Sequence, residues 1–302
     1  MKEWFGFAAA WLLLKVLGVL PRPVARKTAE VTVRILLAVL PKLRRIAQFN
    51  LRLAFPGWGD AQRDETIEGM NRYLAWQAVE FARFPQYNRQ NIERIIEMEG
   101  HENFLEAERR GKGVLILTGH VGAWELSSFA HAVYGYPMHY MARPLDNARL
   151  DAFVNRYRRL AGNQPIYKNE SARAALKALG NRGIVGILAD QNTLPEEGAF
   201  VEFFGKAACT TTGLARLALH TGAAVVPGYA YWDVAARKYK LRFEPAVEVV
   251  ESGNSERDIF ENTQRFAKIT EEIIRKFPDQ WVWVHARWKT RPKGEPPLYD
   301  LL

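Results

Sequence analysis

From residue 113 onward, short apolar runs alternate with stretches of helical periodicity. The runs have the length and composition of buried strands; they are GVLILT (113–118), YPMHYMA (136–142), GIVGILA (183–189) and AAVVPGYAYW (223–232). Helical stretches separate them near 122–134, 147–161, 170–181 and 212–221. A further strand is expected within 238–250 and a final helix over 256–277. Buried strands separated by helices predict an α/β fold with a mostly parallel sheet flanked by helices.

The chain begins with a strongly apolar segment. Residues 4–20, WFGFAAAWLLLKVLGVL, contain a single charge. As a helix this segment is about 25 Å long, slightly short of a hydrocarbon core of about 30 Å. It predicts an uncleaved membrane anchor over residues 1–22, spanning obliquely or lying in the interface; a signal peptide and a buried core helix are the alternatives. Residues 23–302 then form one domain with a basic helical N-terminal extension. Helical patterns in that extension cover 24–53, broken at Pro41, and 61–84.

The positive charge is concentrated near the N-terminus. The formal net charge is +9, and residues 1–52 contain ten Lys or Arg against two acids. A basic arm can serve nucleic acid, but the many apolar side chains in this one favour anionic membrane lipids instead, and no nucleic acid partner is expected. Basic residues after the apolar segment also predict that the following chain stays cytoplasmic. The single cysteine, Cys209, excludes an internal disulfide framework and a Cys-rich zinc site.

A histidine and a glutamate follow the first strand-like run. In TGHVGAWE (118–125), Thr118 and Gly119 end the strand, which puts His120 at the carboxyl edge of the sheet, where α/β proteins usually bind ligands. If His120 precedes the first helical turn and Glu125 lies within it, the carboxylate folds back to the imidazole. Such a pair makes a general base. A capping histidine beside a solvated glutamate is the alternative.

The stretch around His120 resembles the H-x4-[DE] box of glycerolipid-type acyltransferases. It is most similar to the G-H-x-G-x-W-E form of the lipid A biosynthesis lauroyl/myristoyl acyltransferase family. Other segments resemble that family in the same order: LRRIAQFNLRLAFPGW (43–58), YMARPLDNARLD (140–151), GILADQN (186–192), TTTG (210–213) and WVWVHARWKTRP (281–292). One departure is that Met-Ala separates Tyr140 from Arg143. The segments span about 250 residues, so they indicate the family specifically. They say much less about which acceptor is acylated.

The resemblance implies a glycerol-3-phosphate-acyltransferase-like fold. It also implies transfer of a fatty acyl chain from an acyl-carrier-protein thioester to a hydroxyl of a lipid A precursor, at the bacterial inner membrane. His120 would deprotonate the hydroxyl and Glu125 would orient the imidazole; no metal, cofactor or covalent enzyme intermediate is implied. Another glycolipid or lysophospholipid acceptor, with acyl-CoA as donor, is the nearest alternative. A lipid-binding protein without turnover and a metal-dependent hydrolase, for which no third ligand lies near His120 and Glu125, are the others.

Four more residues are candidates for binding substrate. Arg143 could grip a phosphate or polarise the thioester carbonyl, with structural ion pairing as the alternative. Asp190 and Gln191 follow a strand-like run and either line the acceptor site or cap the next turn. Arg287 lies in a segment of alternating aromatic and cationic residues, 281–292. That segment either binds the acidic carrier protein or an anionic head group, or packs as an amphipathic strand.

Overall fold

Four helices precede the first strand. In the computed structural model, which describes residues 2–167 and 171–300, they are α1 (Lys2–Val19), α2 (Arg22–Val39), α3 (Pro41–Ala54) and α4 (Asp60–Ala82). Pro23 lies in the first turn of α2 and Pro41 is the first residue of α3. Proline fits there because the amide hydrogen that it lacks would have no partner within the helix. The prediction of helices over 24–53 with a break at Pro41 is confirmed.

Helix α1 packs only part of its surface against α4. Leu17 of α1 is fully buried in one apolar cluster with Ala75 and Val79 of α4. The large apolar side chains of α1 that remain exposed are Trp4, Trp11, Leu12, Val16 and Val19. Within the residues that the structure describes, no helix is long and apolar enough to cross a membrane. The spanning form of the anchor predicted for residues 1–22 is therefore not supported.

The strands form a seven-stranded sheet and a separate two-stranded hairpin. The strands are β1 (Ile96–Glu99), β2 (Val114–Thr118), β3 (His139–Ala142), β4 (Gln164–Tyr167), β5 (Ile184–Leu188), β6 (Gly198–Phe203), β7 (Lys206–Thr211), β8 (Ala224–Asp233) and β9 (Lys238–Phe243). The helices among them are α5 (His101–Arg109), α6 (Trp124–Val133), α7 (Ala148–Arg158), α8 (Ser171–Gly180), α9 (Gly213–Thr221) and α10 (Ser255–Lys276). The sheet order is β1-β9-β8-β2-β5-β3-β4, and only the β8–β9 pair is antiparallel. The predicted α/β fold with a mostly parallel sheet is confirmed.

Helices cover both faces of the sheet, which explains why its central strand is apolar and buried from Val114 to Leu117, before Thr118 at its end. Ile116 of β2 belongs to the apolar core that Leu126 of α6 completes on one face. Leu117 belongs to the core on the other face, with Leu179 of α8 and Leu214 of α9. Because neighbouring residues of a strand point to opposite faces, a strand that is covered on both sides has no polar position.

Strands β1 and β4 and the β6–β7 hairpin were not predicted from the sequence. The hairpin turns through Phe204 and Gly205, with φ of 53° and 70°, between the paired residues Phe203 and Lys206. Two consecutive positive φ values are what a two-residue hairpin loop needs, but Phe-Gly is not among the usual turn pairs for this purpose. The turn therefore carries no strong sequence signal.

A buried glutamate joins the N-terminal helices to the rest of the chain. Glu80 of α4 has no exposed side-chain surface, and it accepts hydrogen bonds from Arg22 Nη2 (2.7 Å), Arg26 Nη2 (2.8 Å) and Tyr87 Oη (2.5 Å). The Arg26 guanidinium also lies 4.1 Å from the centre of the Trp76 ring. Burial and the neighbouring Glu80 carboxylate raise the pKa of Tyr87. This cluster fixes α2 against α4.

Removal of the Glu80 carboxylate should destabilise the protein strongly, because it leaves two partly buried arginines without a counter-charge. We expect Glu80→Ala to lower the free energy of unfolding by about 3–5 kcal/mol. Glu68 pairs with Arg34 and Arg44 at the surface, so Glu68→Ala should cost less than about 1 kcal/mol. Urea unfolding followed by circular dichroism measures both. Similar losses for the two variants would contradict this reading of the cluster.

Candidate active site

The central strand pair brings His120 and Asp190 together. Strands β2 and β5 are parallel neighbours, and Thr118 pairs with Leu188 at their carboxyl ends. His120 and Asp190 each stand two residues beyond that last pair, so the two chains leave the sheet side by side. Seventy residues separate them in sequence, and the register of two strands places them in contact.

Asp190 is buried and fully hydrogen bonded. Its side chain is 1% exposed; Oδ1 lies 2.8 Å from Nδ1 of His120, and Oδ2 accepts from the His120 backbone amide (2.8 Å) and from Nε1 of Trp281 (2.7 Å). A carboxylate only accepts, so Nδ1 of His120 carries the proton. The other ring nitrogen, Nε2, is then unprotonated, and it accepts from the side-chain amide of Gln191 at 3.3 Å. The imidazole is held in one tautomer.

The charges of this pair stabilise each other. Burial disfavours an ionised Asp190, but the neighbouring His120 and the hydrogen bonds outweigh burial and hold the pKa of Asp190 at about 2. Burial also works against a charged His120. The Asp190 carboxylate, with a smaller contribution from Glu125, overcomes it and raises the pKa of His120 above its ordinary value. The site is therefore arranged to stabilise an imidazolium once Nε2 has taken a proton.

Two glycines allow the chain to turn beside Asp190. A Cβ atom on Gly119 would lie 3.0 Å from Cγ of Asp190, which is tighter than ordinary packing. Gly122 has a φ of +56°, and a Cβ there would lie 2.0 Å from the carbonyl oxygen of Ala230. The Gly122 amide donates to the carbonyl of Gln280 at 2.6 Å. This turn starts α6 and fixes the direction in which His120 points.

Glu125 does not hold His120, contrary to the prediction from spacing. Its carboxylate forms a two-point ion pair with Arg158 at the end of α7, in which Nε of Arg158 donates at 2.9 Å and Nη2 donates to the second oxygen. The position that Glu125 was expected to occupy, next to Nδ1 of His120, belongs to Asp190. No sequence motif singled out Arg158, because its ion pair with Glu125 forms only in the folded chain.

A cavity of about 460 Å³ opens beside His120. One sheet face forms its floor, through side chains or backbone of Ile116, Thr118, Met138, Tyr140, Gly186 and Leu188. Helix α6 contributes Trp124 and Glu125, and α7 contributes Arg158. Gly186 keeps the floor open, since a Cβ there would lie 3.1 Å from the sulfur of Met138. Its lining combines apolar side chains such as Ile116 and Leu188 with polar ones such as Glu125 and Arg158, as sites for amphipathic ligands do.

Arg143 and Gln191 stand at the mouth of this cavity. The Arg143 side chain is 82% exposed and contacts Asp146 at a distance of 3.5 Å. Such a loose surface ion pair holds it weakly. Of the predicted site residues, the structure thus brings together His120, Asp190 and Gln191 by direct contact, with Glu125 and Arg143 in the cavity wall.

Arg287, predicted to bind substrate, is instead a buried structural residue. It is 0% exposed; Nη1 donates to the carbonyl of Cys209 at 2.8 Å and Nη2 donates to Oγ1 of Thr210. Its guanidinium lies 4.7 Å from the centre of the Phe203 ring. Burial lowers its pKa to about 10. Trp281, Trp283 and Trp288 of the same segment are buried as well.

His285, two residues before Arg287, lies close to the pair of His120 and Asp190. Its Nε2 accepts the backbone amide of Asn192 at 3.0 Å. Burial lowers the pKa of His285 to about 4. It is therefore neutral near pH 7, and it supports the loop that carries Asp190 and Gln191 rather than an anionic ligand.

A mostly parallel α/β sheet, with a carboxylate-bound histidine at its carboxyl edge and a cavity of mixed apolar and polar lining beside it, is the arrangement of an α/β enzyme. The family is shown by comparison. The chain belongs to the bacterial lipid A biosynthesis acyltransferase family, whose model matches residues 1–290. The resemblance drawn from the sequence segments is confirmed, and the protein is an acyltransferase.

Similar proteins include lipid A biosynthesis acyltransferases of Escherichia coli and Haemophilus influenzae. The chain is 27% identical to the lipid A biosynthesis palmitoleoyltransferase of Escherichia coli over 300 residues, which cover 98% of this chain and 94% of the relative. It is 26% identical to the lipid A biosynthesis lauroyltransferase of the same organism, with the same coverage. It is also 26% identical to a lipid A biosynthesis acyltransferase of Haemophilus influenzae over 259 residues, 86% of this chain and 79% of the relative.

Replacement of the Asp190 carboxylate should lower the pKa of His120. Asp190→Asn removes the anion that favours the imidazolium, whereas burial, which opposes it, remains. Glu125→Gln should lower the same pKa less, because Glu125 acts without a hydrogen bond to the ring and Arg158 opposes it. An NMR titration of the His120 ring protons measures both. A larger shift in Glu125→Gln than in Asp190→Asn would show that Glu125 is the controlling carboxylate.

Proposed function

We propose that this protein transfers a fatty acyl chain from an acyl-carrier-protein thioester to a hydroxyl of a lipid A precursor. The observation that carries the proposal is the unprotonated Nε2 of His120 beside a cavity, with Nδ1 bound to a buried carboxylate. Membership of the family and the names of the relatives support this substrate class.

His120 acts as general base in this proposal. Its Nε2 takes the proton of the acceptor hydroxyl while the oxygen attacks the thioester carbonyl. The carbon–sulfur bond then breaks, and the thiolate leaves and takes the proton from the imidazolium. Asp190 keeps the proton of the resting ring on Nδ1 and stabilises the imidazolium, which is the orienting role first expected of Glu125. A thiolate is a good leaving group, so the chain needs no nucleophile of its own.

The remaining site residues bind and position substrate in this proposal. The Glu125–Arg158 pair forms one wall beside His120, and the pairing holds the guanidinium facing the cavity. Arg143 is exposed at the mouth, where its fork of donors suits a phosphate of the acceptor or of the donor's prosthetic arm. The side-chain amide of Gln191 lies 3.3 Å from Nε2, and in this proposal the acceptor hydroxyl replaces it there.

The second candidate keeps acyl transfer and changes the substrates. Another glycolipid or a lysophospholipid fits the same arrangement, with acyl-CoA as the donor. We retain this candidate because Arg143, an exposed arginine of the cavity lining, suits any phosphate-bearing acceptor.

Transfer should depend on the His120 imidazole. Incubation of the purified full chain with acyl-carrier-protein and acyl-CoA thioesters and a panel of lipid acceptors, read by mass spectrometry, identifies donor and acceptor. His120→Ala should lower the rate by roughly 10²–10⁴-fold, as expected for loss of a general base. His220→Ala, on an exposed position of α9, is the matched control and should keep the wild-type rate. An unchanged rate in His120→Ala would refute the mechanism, and acylation confined to lysophospholipids would refute the acceptor.

We also propose that residues 1–22, with helix α2 of the domain that follows, form an interfacial membrane anchor. Large apolar side chains are exposed along both helices; in α2 and directly after it these are Val24, Val31, Ile35, Leu36, Val39 and Leu40. Exposed Lys15 and Arg45 add positive charge near this surface. An apolar helix face with cations beside it suits the boundary between acyl chains and anionic head groups. This supports membrane association, and we place the protein at the bacterial inner membrane with the site on the cytoplasmic side because basic residues follow the apolar segment.

Charges placed within this apolar surface should release the protein from membranes. Ile35 is 58% exposed and Val39 is 67% exposed, so the variant with Ile35→Asp and Val39→Asp should keep its fold. We expect its co-sedimentation with phosphatidylglycerol-containing vesicles to fall about 10-fold or more, because two buried apolar contacts become charged. Val234→Asp, at a 73% exposed position outside these helices, is the control. Undiminished binding of the double variant would contradict the anchor.

A further inference from the structure

Helix α7 presents an exposed row of arginines. Arg149 and Arg156 are two helical turns apart on its outer side, and Arg159 follows directly after its last residue. The residue between them on this side, Ala152, is small and exposed. From Arg149 to Arg159 the row extends about 15 Å, at roughly 1.5 Å per residue. We call these three arginines and Ala152 the α7 ridge.

The charge of the α7 ridge is not neutralised within the chain. Among residues 2–167 and 171–300, the guanidinium groups of its three arginines make no ion pair or side-chain hydrogen bond. The only acid of α7, Asp151, turns inward and accepts from the Leu145 amide (2.9 Å) and from Asn155 (3.0 Å). Three adjacent unpaired cations repel one another, so a surface of this kind is complementary to a partner rich in carboxylates.

The α7 ridge lies across one helix from the cavity. Arg158, on the inner side of α7, lines the cavity and binds Glu125. A helix is about 10–12 Å across with its side chains. A partner seated on the ridge therefore stands about one helix diameter from the cavity wall, a distance that a flexible prosthetic arm crosses. Within the 281–292 segment, the first candidate for this role, Arg287 is fully buried and Arg291 is only 10% exposed, which leaves Lys289 as the exposed cation of that segment.

We propose that the α7 ridge is the docking surface for the acidic acyl carrier protein that brings the donor chain; this rests on the proposed function. The composition of the ridge favours an acidic protein over a membrane. No exposed large apolar side chain lies between its arginines, and only Leu145 and Leu160 flank it, whereas eleven of the sixteen large exposed apolar residues of the described chain lie in residues 4–40. Lipid binding needs apolar side chains that enter the bilayer, and the anchor surface provides them.

The test is the affinity for acyl carrier protein itself. We expect the variant with Arg149→Glu and Arg156→Glu to bind fluorescently labelled acyl carrier protein about 10-fold or more weakly than the wild type in low-salt anisotropy titrations. Added salt should weaken the wild type and reduce the difference between the two. Transfer from a short acyl-pantetheine thioester should keep its rate, because the cavity is untouched.

The matched control reverses the same number of charges elsewhere. Arg109 and Arg110 are exposed near the amino end of β2, opposite the active site, and Arg109→Glu with Arg110→Glu should bind the carrier protein like the wild type. Equal affinity of the ridge variant and the control overturns the proposal, as does a loss of vesicle binding without a loss of carrier binding. Absence of transfer from every thioester would overturn the proposed function instead, while the titration still decides the role of the ridge.

Discussion

The buried carboxylate of Asp190 is the interaction on which the rest of the site depends. It accepts from the backbone and the ring of His120 and from the indole of Trp281, so it joins the ends of two strands to the C-terminal segment. A carboxylate with 1% of its side chain exposed is tolerated only when its charge is paired and its lone pairs are used. The same bonds set the tautomer and the basicity of His120. The hydrogen bonds of Asp190 therefore both hold this edge of the sheet together and set the protonation of His120.

Most of the fold could be predicted because its signals are local. The apolar runs at 113–118 and 183–189 are strands, and Pro41 separates two helices as expected. The elements that escaped prediction have weak local signals. Strand β1, IEME, is half acidic, and the β6–β7 hairpin turns on Phe-Gly rather than on a pair that favours positive φ.

The candidate site was harder to predict, because its central contact is not local. Spacing favours Glu125 as the partner of His120, yet the partner is Asp190, and only the order of the strands brings it near. A signal did exist, since His120 and Asp190 each stand two residues after a buried strand. The error at Arg287 has a different origin: alternating aromatic and cationic residues suggest a surface strand, whereas here three tryptophans are buried and the arginine binds a backbone carbonyl.

The pairing of Thr118 with Leu188 has a consequence for the synthesis and folding of the chain. His120 and Asp190 lie in different halves of the sequence, and a nascent chain that ends before β5 lacks the carboxylate that binds the imidazole. A slip of one residue between the two strands would turn their side chains to opposite faces and separate the pair. The pair of His120 and Asp190 therefore forms only when β2 and β5 are paired in the correct register. Incomplete or misfolded molecules lack it.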